Sequence, residues 1–329
     1  MAATEPSRLS TSALFDRLHD LRLRQERRPE EVLHLAETLV QRGAFSNDND
    51  KVWDAMEQAA TAAIECNQLS LATVLVSRLA TRFADKAPRV AALQGMLLEG
   101  RGELTLAREF YEDRMRENET DVTARKRLIA LHLSSPLELL PSSPSALPAS
   151  HQPYFAASLT QQKGVQILVH YLDTYYADAA AWQTLSSAYA RLGLYPQALS
   201  AQSHALLLLP NSPWVALKMA ELAYTAGEVE QAWKGFLRVV EMSDTEEGRG
   251  LQGAGRRAAM GAKLCLPRLR SPSKPSSPLD PLLTPTHLDE LDLLLTRLLL
   301  DSYSEKQAPG AVGAGLMRKW VGGAAEGER

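Results

Sequence analysis

Ala181-Trp-Gln-Thr-Leu-Ser-Ser-Ala-Tyr-Ala-Arg-Leu-Gly-Leu-Tyr-Pro-Gln-Ala-Leu-Ser-Ala-Gln-Ser-His-Ala-Leu-Leu-Leu-Leu-Pro210 is the stretch whose reading decides the fold. Its spaced residues are Trp182, Leu185, Ser186, Tyr189, Gly193, Tyr195, Ala198, Ala205 and Pro210. They predict two short helices joined by a glycine turn. Ser186 and Ala198 are small, so the two helices can approach closely, and Leu185 and Tyr189 fill the groove between them. Gly193 relaxes the turn, and Pro210 stops the second helix.

The same order returns further along the chain. Thirty-four residues on, Gly193 is met by Gly227, Ala198 by Ala232, Gln202 by Phe236 and Ala205 by Val239. Met219 and Ala220 take the places of Leu185 and Ser186. An earlier unit contains Gly95, Leu98, Gly102, Ala107 and Tyr111. Gly102 stands 91 residues before Gly193, which is two periods of 34 and a surplus of 23. The surplus falls where proline and serine cluster. One repeat is therefore interrupted, with its first helix over 122–133 and its second over 161–173. A period of 34 with this residue order is the tetratricopeptide signature. The expected fold is all-α: a tetratricopeptide-repeat α-solenoid, a right-handed superhelix of antiparallel helix pairs, with two Pro/Ser-rich insertions.

Proline marks the boundaries. Of 18 prolines, five fall in 136–153 and six in 267–285, where no helix could run unbroken. The expected organisation is N-terminal helices over 1–47, the repeat array over 48–265 with its insertion at 134–160, and a disordered linker over 266–285. A C-terminal helix over 286–304 and a flexible Gly/Ala-rich tail over 305–329 complete it. Within the first part, Leu14, Leu18 and Leu21 lie on one helical face. Pro29 opens a helix that Gly43 follows, Asn49 or Asp50 caps the next, and Leu69–Phe83 forms another. No segment alternates as a strand does.

Composition supports this and excludes several classes. Aromatic residues are 6% of the 329, with Leu and Ala dominant, which favours helix over β-sandwich. The formal charge of −3 lacks the basic excess of a nucleic-acid-coating protein. Two cysteines, Cys66 and Cys265, cannot build a disulfide framework, so a reducing compartment is expected. No run reaches the roughly 18 apolar residues of a membrane span, and no secretory signal is expected at the N-terminus.

The residues of known catalytic chemistry do not assemble. The seven histidines stand apart from Cys and carboxylate at metal-ligand spacing, and no nucleophile–base pair is recognisable. A G-x-G-x-x-G occurs at Gly248, Gly250 and Gly253, but it follows an acidic run rather than a strand, and a loop between helices is the better reading. Neither an enzyme nor a cofactor, metal or small-molecule substrate is expected.

Binding remains. In such arrays the first helix of each pair lines the partner face. In the best repeat that face carries Ala180, Gln183, Ser187 and Ala190, and in the next Trp214, Leu217, Glu221 and Tyr224. Trp214 and Tyr224 would anchor an apolar partner segment, unless a neighbouring helix covers them. Arg125 and Lys126, with Arg127, open the interrupted repeat. With Arg17, Arg22, Arg24, Arg27 and Arg28 they could meet acidic tails or anionic lipid, or simply face water.

Ala124-Arg-Lys-Arg-Leu-Ile-Ala130, the helix end at 171–176, and Ala181-Trp182 together resemble subunit 2 of the endoplasmic reticulum membrane protein complex. Ile64-Glu-Cys-Asn-Gln-Leu69, Phe83 and Pro88-Arg-Val90 add to the likeness, which spans roughly residues 52 to 265. The resemblance implies a non-catalytic, peripheral scaffold on the cytosolic side of the endoplasmic reticulum membrane. It implies contacts with membrane subunits 3 and 5 and large subunit 1 of a complex that inserts transmembrane segments, tail-anchored ones included. The Pro/Ser-rich insertions and Gly-rich tail depart from the family. The alternatives are a co-chaperone adaptor clamping a C-terminal carboxylate and a scaffold of a soluble assembly. For the clamp, Gln183, Ser187, Leu217 and Glu221 supply no set of Lys, Arg and Asn.

Overall fold

The computed structural model describes residues 9–24, 26–46, 49–84, 87–134, 152–243, 251, 253–270, 285–303, 315–317 and 319–320, with side chains described from 160 onward in the stretch 152–243 and from 286 onward in the stretch 285–303. Every regular element among them is helical. The chain forms two compact units, Met1–Ile167 and Leu168–Arg329.

The first unit runs through α1 (Thr11–Leu23), α2 (Pro29–Gln41), a single 3-10 turn (Ala44–Ser46), α3 (Asp50–Glu65), α4 (Leu69–Phe83), α5 (Pro88–Gly100), α6 (Leu104–Glu117) and α7 (Val122–Ser134). It ends within α8 (Gln152–Thr174). The second unit continues through α9 (Ala179–Arg191), α10 (Tyr195–Leu208), α11 (Pro213–Ala226), α12 (Val229–Ser243), α13 (Gly253–Arg270) and α14 (Pro285–Ser302).

The repeat is visible in the backbone of its turns. Gly102, Gly193 and Gly227 sit at φ of 78°, 74° and 90°, where a Cβ would be strained. At each, two hydrogen bonds close the preceding helix: Gly193 N–H donates to Ala190, and Leu194 N–H to Tyr189. Gly102 with Glu103, and Gly227 with Glu228, make the same pair of bonds. This is the Schellman closure, which satisfies carbonyls that the helix end would leave bare. Asn67, at φ 60°, performs it between α3 and α4. It stands 35 residues before Gly102, so a strict step of 34 passes over it. Asparagine tolerates the left-handed region better than other side chains.

Packing follows the small positions. Ala60, Ala72, Ala107, Ser186, Ala198, Ala220 and Ala232 are all sealed from solvent. Gly95 is the limiting case, since a Cβ there would lie 2.4 Å from the buried Tyr111 ring. Leu185, Ala205 and Phe236 are buried, and half-buried Tyr189 packs on the second unit's core. Trp182 is half-buried. Its ring stacks on His204 of α10 at 4.5 Å and its Nε1–H donates to Tyr176 at 2.8 Å, so it ties the pair from the side. Pro210 is exposed just past the end of α10.

Two boundaries differ from the sequence expectation. In the interrupted repeat, α8 begins at Gln152 rather than near residue 161, with Pro153 in its first turn, where its missing N–H is harmless. The linker expected from residue 266 begins later, because α13 continues through Pro267 to Arg270. Cys265 and Leu266 are buried beneath that segment, and Arg270 reaches Asp289 of α14 at 2.6 Å, so packing overrides the proline. The remaining parts of both expected insertions, most of the tail, and Gly248 and Gly250 lie outside the described residues. Gly253 opens α13 at φ 51°.

Candidate functional site

The sequence places two candidate surfaces, and the structure treats them differently. The basic one is largely consumed by ion pairs. Arg125 is 7% exposed and its Nη2 donates to the Glu119 carbonyl at 2.6 Å, so it serves the fold and is withdrawn from the surface. Arg127 grips Glu99 with Nε at 3.0 Å and Nη2 at 2.6 Å, and the Tyr111 hydroxyl donates to the same carboxylate. Lys126 alone of the three is exposed. Near the N-terminus, Arg17 pairs with Glu31, Arg22 with Asp54, Arg27 with Glu65, and Arg28 with Glu26. The Arg17 guanidinium holds the Glu31 carboxyl below its ordinary range. Arg24, the fifth arginine of this N-terminal group, is exposed.

The four residues expected on the α11 face are placed differently by the structure. Trp214, at the second position of α11, is 58% exposed. Its ring edge lies against the start of α13, where a Cβ on Gly253 would be 3.4 Å from Cζ2. Tyr224, near the other end of α11, is half-buried against the core. Leu217 is not part of this surface: it is 2% exposed and belongs to that core, because α11 turns it inward between Ala216 and Ala220. Gln183, on α9, is half-buried.

Helix α13 adds to this face. Arg257 of α13 grips Glu221 of α11 at 2.5 and 3.1 Å. Arg268 lies 4.5 Å over the Tyr224 ring. The two arginines are 11 residues apart, about three helical turns, and so share one side of α13. Sequence reasoning missed both, since the glycine-rich stretch before α13 breaks the step of 34. Their spacing on one helix was the available signal. The assembled surface has an exposed indole, a ring capped by a guanidinium and a Glu–Arg pair. These groups suit recognition of a peptide segment by stacking and charge-assisted hydrogen bonds.

Buried titratable groups elsewhere serve packing. Burial pushes the Cys265 thiol up to about 12, which leaves it an inert apolar group. His132, 4% exposed, is lowered to about 4 by burial, with Lys163 and Arg108 adding to it. Among the described residues no group of three or more His, Cys, Asp or Glu could hold a metal ion, and no helix is long and apolar enough to cross a membrane.

Helix pairs closed by repeated left-handed turns and joined through small buried residues define an all-α, tetratricopeptide-type repeat fold. The resemblance read from the sequence is met by comparison with known proteins. The chain is 24% identical over 215 residues to ER membrane protein complex subunit 2-A of Xenopus laevis, covering 65% of this chain and 64% of that protein. It is 26% identical over 204 residues to TPR repeat protein oca3 of Schizosaccharomyces pombe, covering 62% and 64%. The chain thus spans just under two thirds of the length of these relatives. No family model matches. Among solved structures, MamA from Desulfovibrio magneticus RS-1 aligns with 61% of this chain and 99% of its own at 15% identity and a TM-score of 0.43.

Proposed function

We propose that this chain is a non-catalytic scaffold subunit of an endoplasmic reticulum membrane protein complex, peripheral on the cytosolic side of the membrane. The observation that carries the reading is the 215-residue match to a protein named as subunit 2 of that complex. By the family resemblance, its partners are membrane subunits 3 and 5 and large subunit 1, and the assembled complex inserts transmembrane segments, tail-anchored ones included. The face built by Trp214, Glu221, Tyr224, Arg257 and Arg268 is its partner surface in the second unit, which also carries Gln183 on α9, and Lys126 on α7 is a separate contact in the first unit. The exposed indole supports this, since an aromatic anchor left in water is the usual centre of a binding patch.

The test is a tagged pull-down from detergent-solubilised membranes, with co-purifying proteins identified by mass spectrometry. Endoplasmic reticulum membrane proteins recovered in near-equal amounts are the expected result. Recovery only from the soluble fraction, with chaperones or with no partner, overturns this function and favours the adaptor or soluble-assembly alternative.

A further inference from the structure

Helix α14 is fixed to the second unit by its inner side. Leu288, Leu295 and Leu299 are buried in the core of that unit. Three bases of α13, Arg256, Lys263 and Arg270, stand seven residues apart and so share the side of that helix turned toward α14. Lys263 pairs with Asp292 and Arg270 with Asp289, while Arg256 Nη2 donates to the Ser302 carbonyl at 2.7 Å. The acids on this side of α14 are matched.

The outer side is different. Leu293 is 72% exposed, Leu294 49% and Leu300 36%. Glu290 and Arg297 are exposed among them, and neither has an ion-pair partner among the described residues. They stand two turns apart, about 10 Å along the axis, beyond the three- or four-residue spacing at which side chains of one helix pair. At 100° per residue, the five side chains fall within an arc of about 120°, with Glu290 and Arg297 near its midline. Apolar surface and two opposite charges without counterparts thus share one exposed face.

The order of the charges selects the occupant. We propose that the outer face of α14 pairs antiparallel with the same face of a second copy of this chain. A two-fold axis midway between residues 293 and 294 sets Glu290 of one copy opposite Arg297 of the other, and the same pair recurs beyond the axis. Leu293 and Leu294 lie between the two pairs and meet their own copies. Parallel pairing would set Glu290 on Glu290 and Arg297 on Arg297, which like-charge repulsion opposes. An uncharged apolar groove on another protein would cover both charges without a counterpart. The two-fold contact uses one patch on each copy, so assembly stops at two. One helix on its copy makes a small interface, at or below roughly 1,200 Å², so the association is weak and concentration-dependent. This inference goes beyond the scaffold reading and does not depend on it.

The experiment is sedimentation equilibrium on the full chain from about 1 to 200 μM, over which the mass is expected to move from one copy toward two. Glu290→Arg and Arg297→Glu are each expected to weaken self-association at least about tenfold, because each turns both pairs into like charges. Both sites are exposed, so circular dichroism and melting should stay unchanged. An equimolar mixture of the two variants is expected to associate again, and so is the chain carrying both changes, since each arrangement restores two opposite-charge pairs. A chain that stays single throughout, single variants that associate like the parent, or a mixture that stays apart overturns the proposal. Leu293→Lys tests the apolar centre and is expected to remove self-association. If the parent stays single while this variant loses co-purifying proteins, the face belongs to a different protein, which likewise overturns the proposal.

Discussion

The hydroxyl of Ser186 on α9 donates to the backbone carbonyl of Ala198 on α10 at 2.9 Å, and both residues are sealed from solvent. The bond needs the two helices close enough for a side chain of two heavy atoms to span the gap. Only small residues on both sides permit that distance. The same economy of volume recurs at Ala220, against which a Cβ on Gly235 would approach to 2.9 Å.

Ala198→Trp should therefore destabilise the fold. A large ring forced into a filled helix contact costs about 1–3 kcal/mol or more, and it also displaces the Ser186 bond. Thermal melting should fall by several degrees. An unchanged melting temperature would mean that Ala198 does not occupy the contact assigned to it.

The left-handed turns make opposite predictions at two sites. Gly193→Val should cost about 1–2 kcal/mol, because a β-branched residue at φ 74° meets its own carbonyl. Asn67→Gly should leave stability unchanged or slightly raised, since glycine takes the φ of 60° without strain. Denaturant midpoints of the two variants check the pair. A loss at Asn67 comparable to that at Gly193 would show that the Asn side chain, not the turn, matters there.

Gly95→Ala inverts the usual rule for helices. In an open helix the change is worth about 0.5–1 kcal/mol in favour of alanine. Here the new methyl would sit 2.4 Å from the Tyr111 ring, whose hydroxyl is tied to Glu99 at 2.7 Å. Tyr111 cannot swing aside without breaking that bond, so the variant should be less stable. Combining it with Tyr111→Leu should give a double-variant loss smaller than the two single losses added. Simple additivity would refute the contact.

What was legible in the sequence was whatever repeats. The Gly193 and Gly227 turns and the small Ser186 and Ala198 positions are read from spacing alone, because each has one backbone or volume reason. Leu217 shows the limit: the spacing that sets Trp214 and Glu221 on the expected partner face puts Leu217 with them, yet α11 buries it in the core of the second unit. Arg125 fails for a related reason, as nothing local reveals that its guanidinium folds back onto the Glu119 carbonyl. The helical run through Pro267 depends on α14, whose contacts lie far along the chain. Asn67 was missed because a turn can use asparagine where the repeat elsewhere uses glycine.

His132 predicts an acid-sensitive first unit. Burial, then Lys163 on α8 and Arg108 on α6, lower it to about 4, against about 6.5 in an unfolded chain. The group is neutral in both states above pH 6.5, so stability there is complete. As the pH falls from about 6.5 toward 4, the unfolded chain takes up the proton first, and stability is lost over that window. Allowing for partial screening, the loss should be about 2 kcal/mol. His132 Nδ1 also lacks a hydrogen-bond partner among the described residues, so His132→Leu removes an unsatisfied group as well as the titration. Melting curves at pH 7.5 and 5 should converge in that variant. If they stay as far apart as in the parent chain, the acid sensitivity belongs to another group.

The Trp214 face is tested by separating anchoring from folding. Trp214 is 58% exposed, so Trp214→Ala should leave circular dichroism and melting nearly as they were. Tyr224 packs partly on the core, and Tyr224→Ala should lower stability a little while keeping the helix content. An aromatic anchor at the centre of an interface is worth about 2 kcal/mol or more, roughly thirtyfold in affinity. The double variant should therefore recover much less of any partner in a pull-down. Arg268→Glu offers a third reading, because it removes the guanidinium over Tyr224 without opening a cavity. Full recovery of partners by the double variant and by Arg268→Glu, with the fold intact, would place the binding surface elsewhere on the chain.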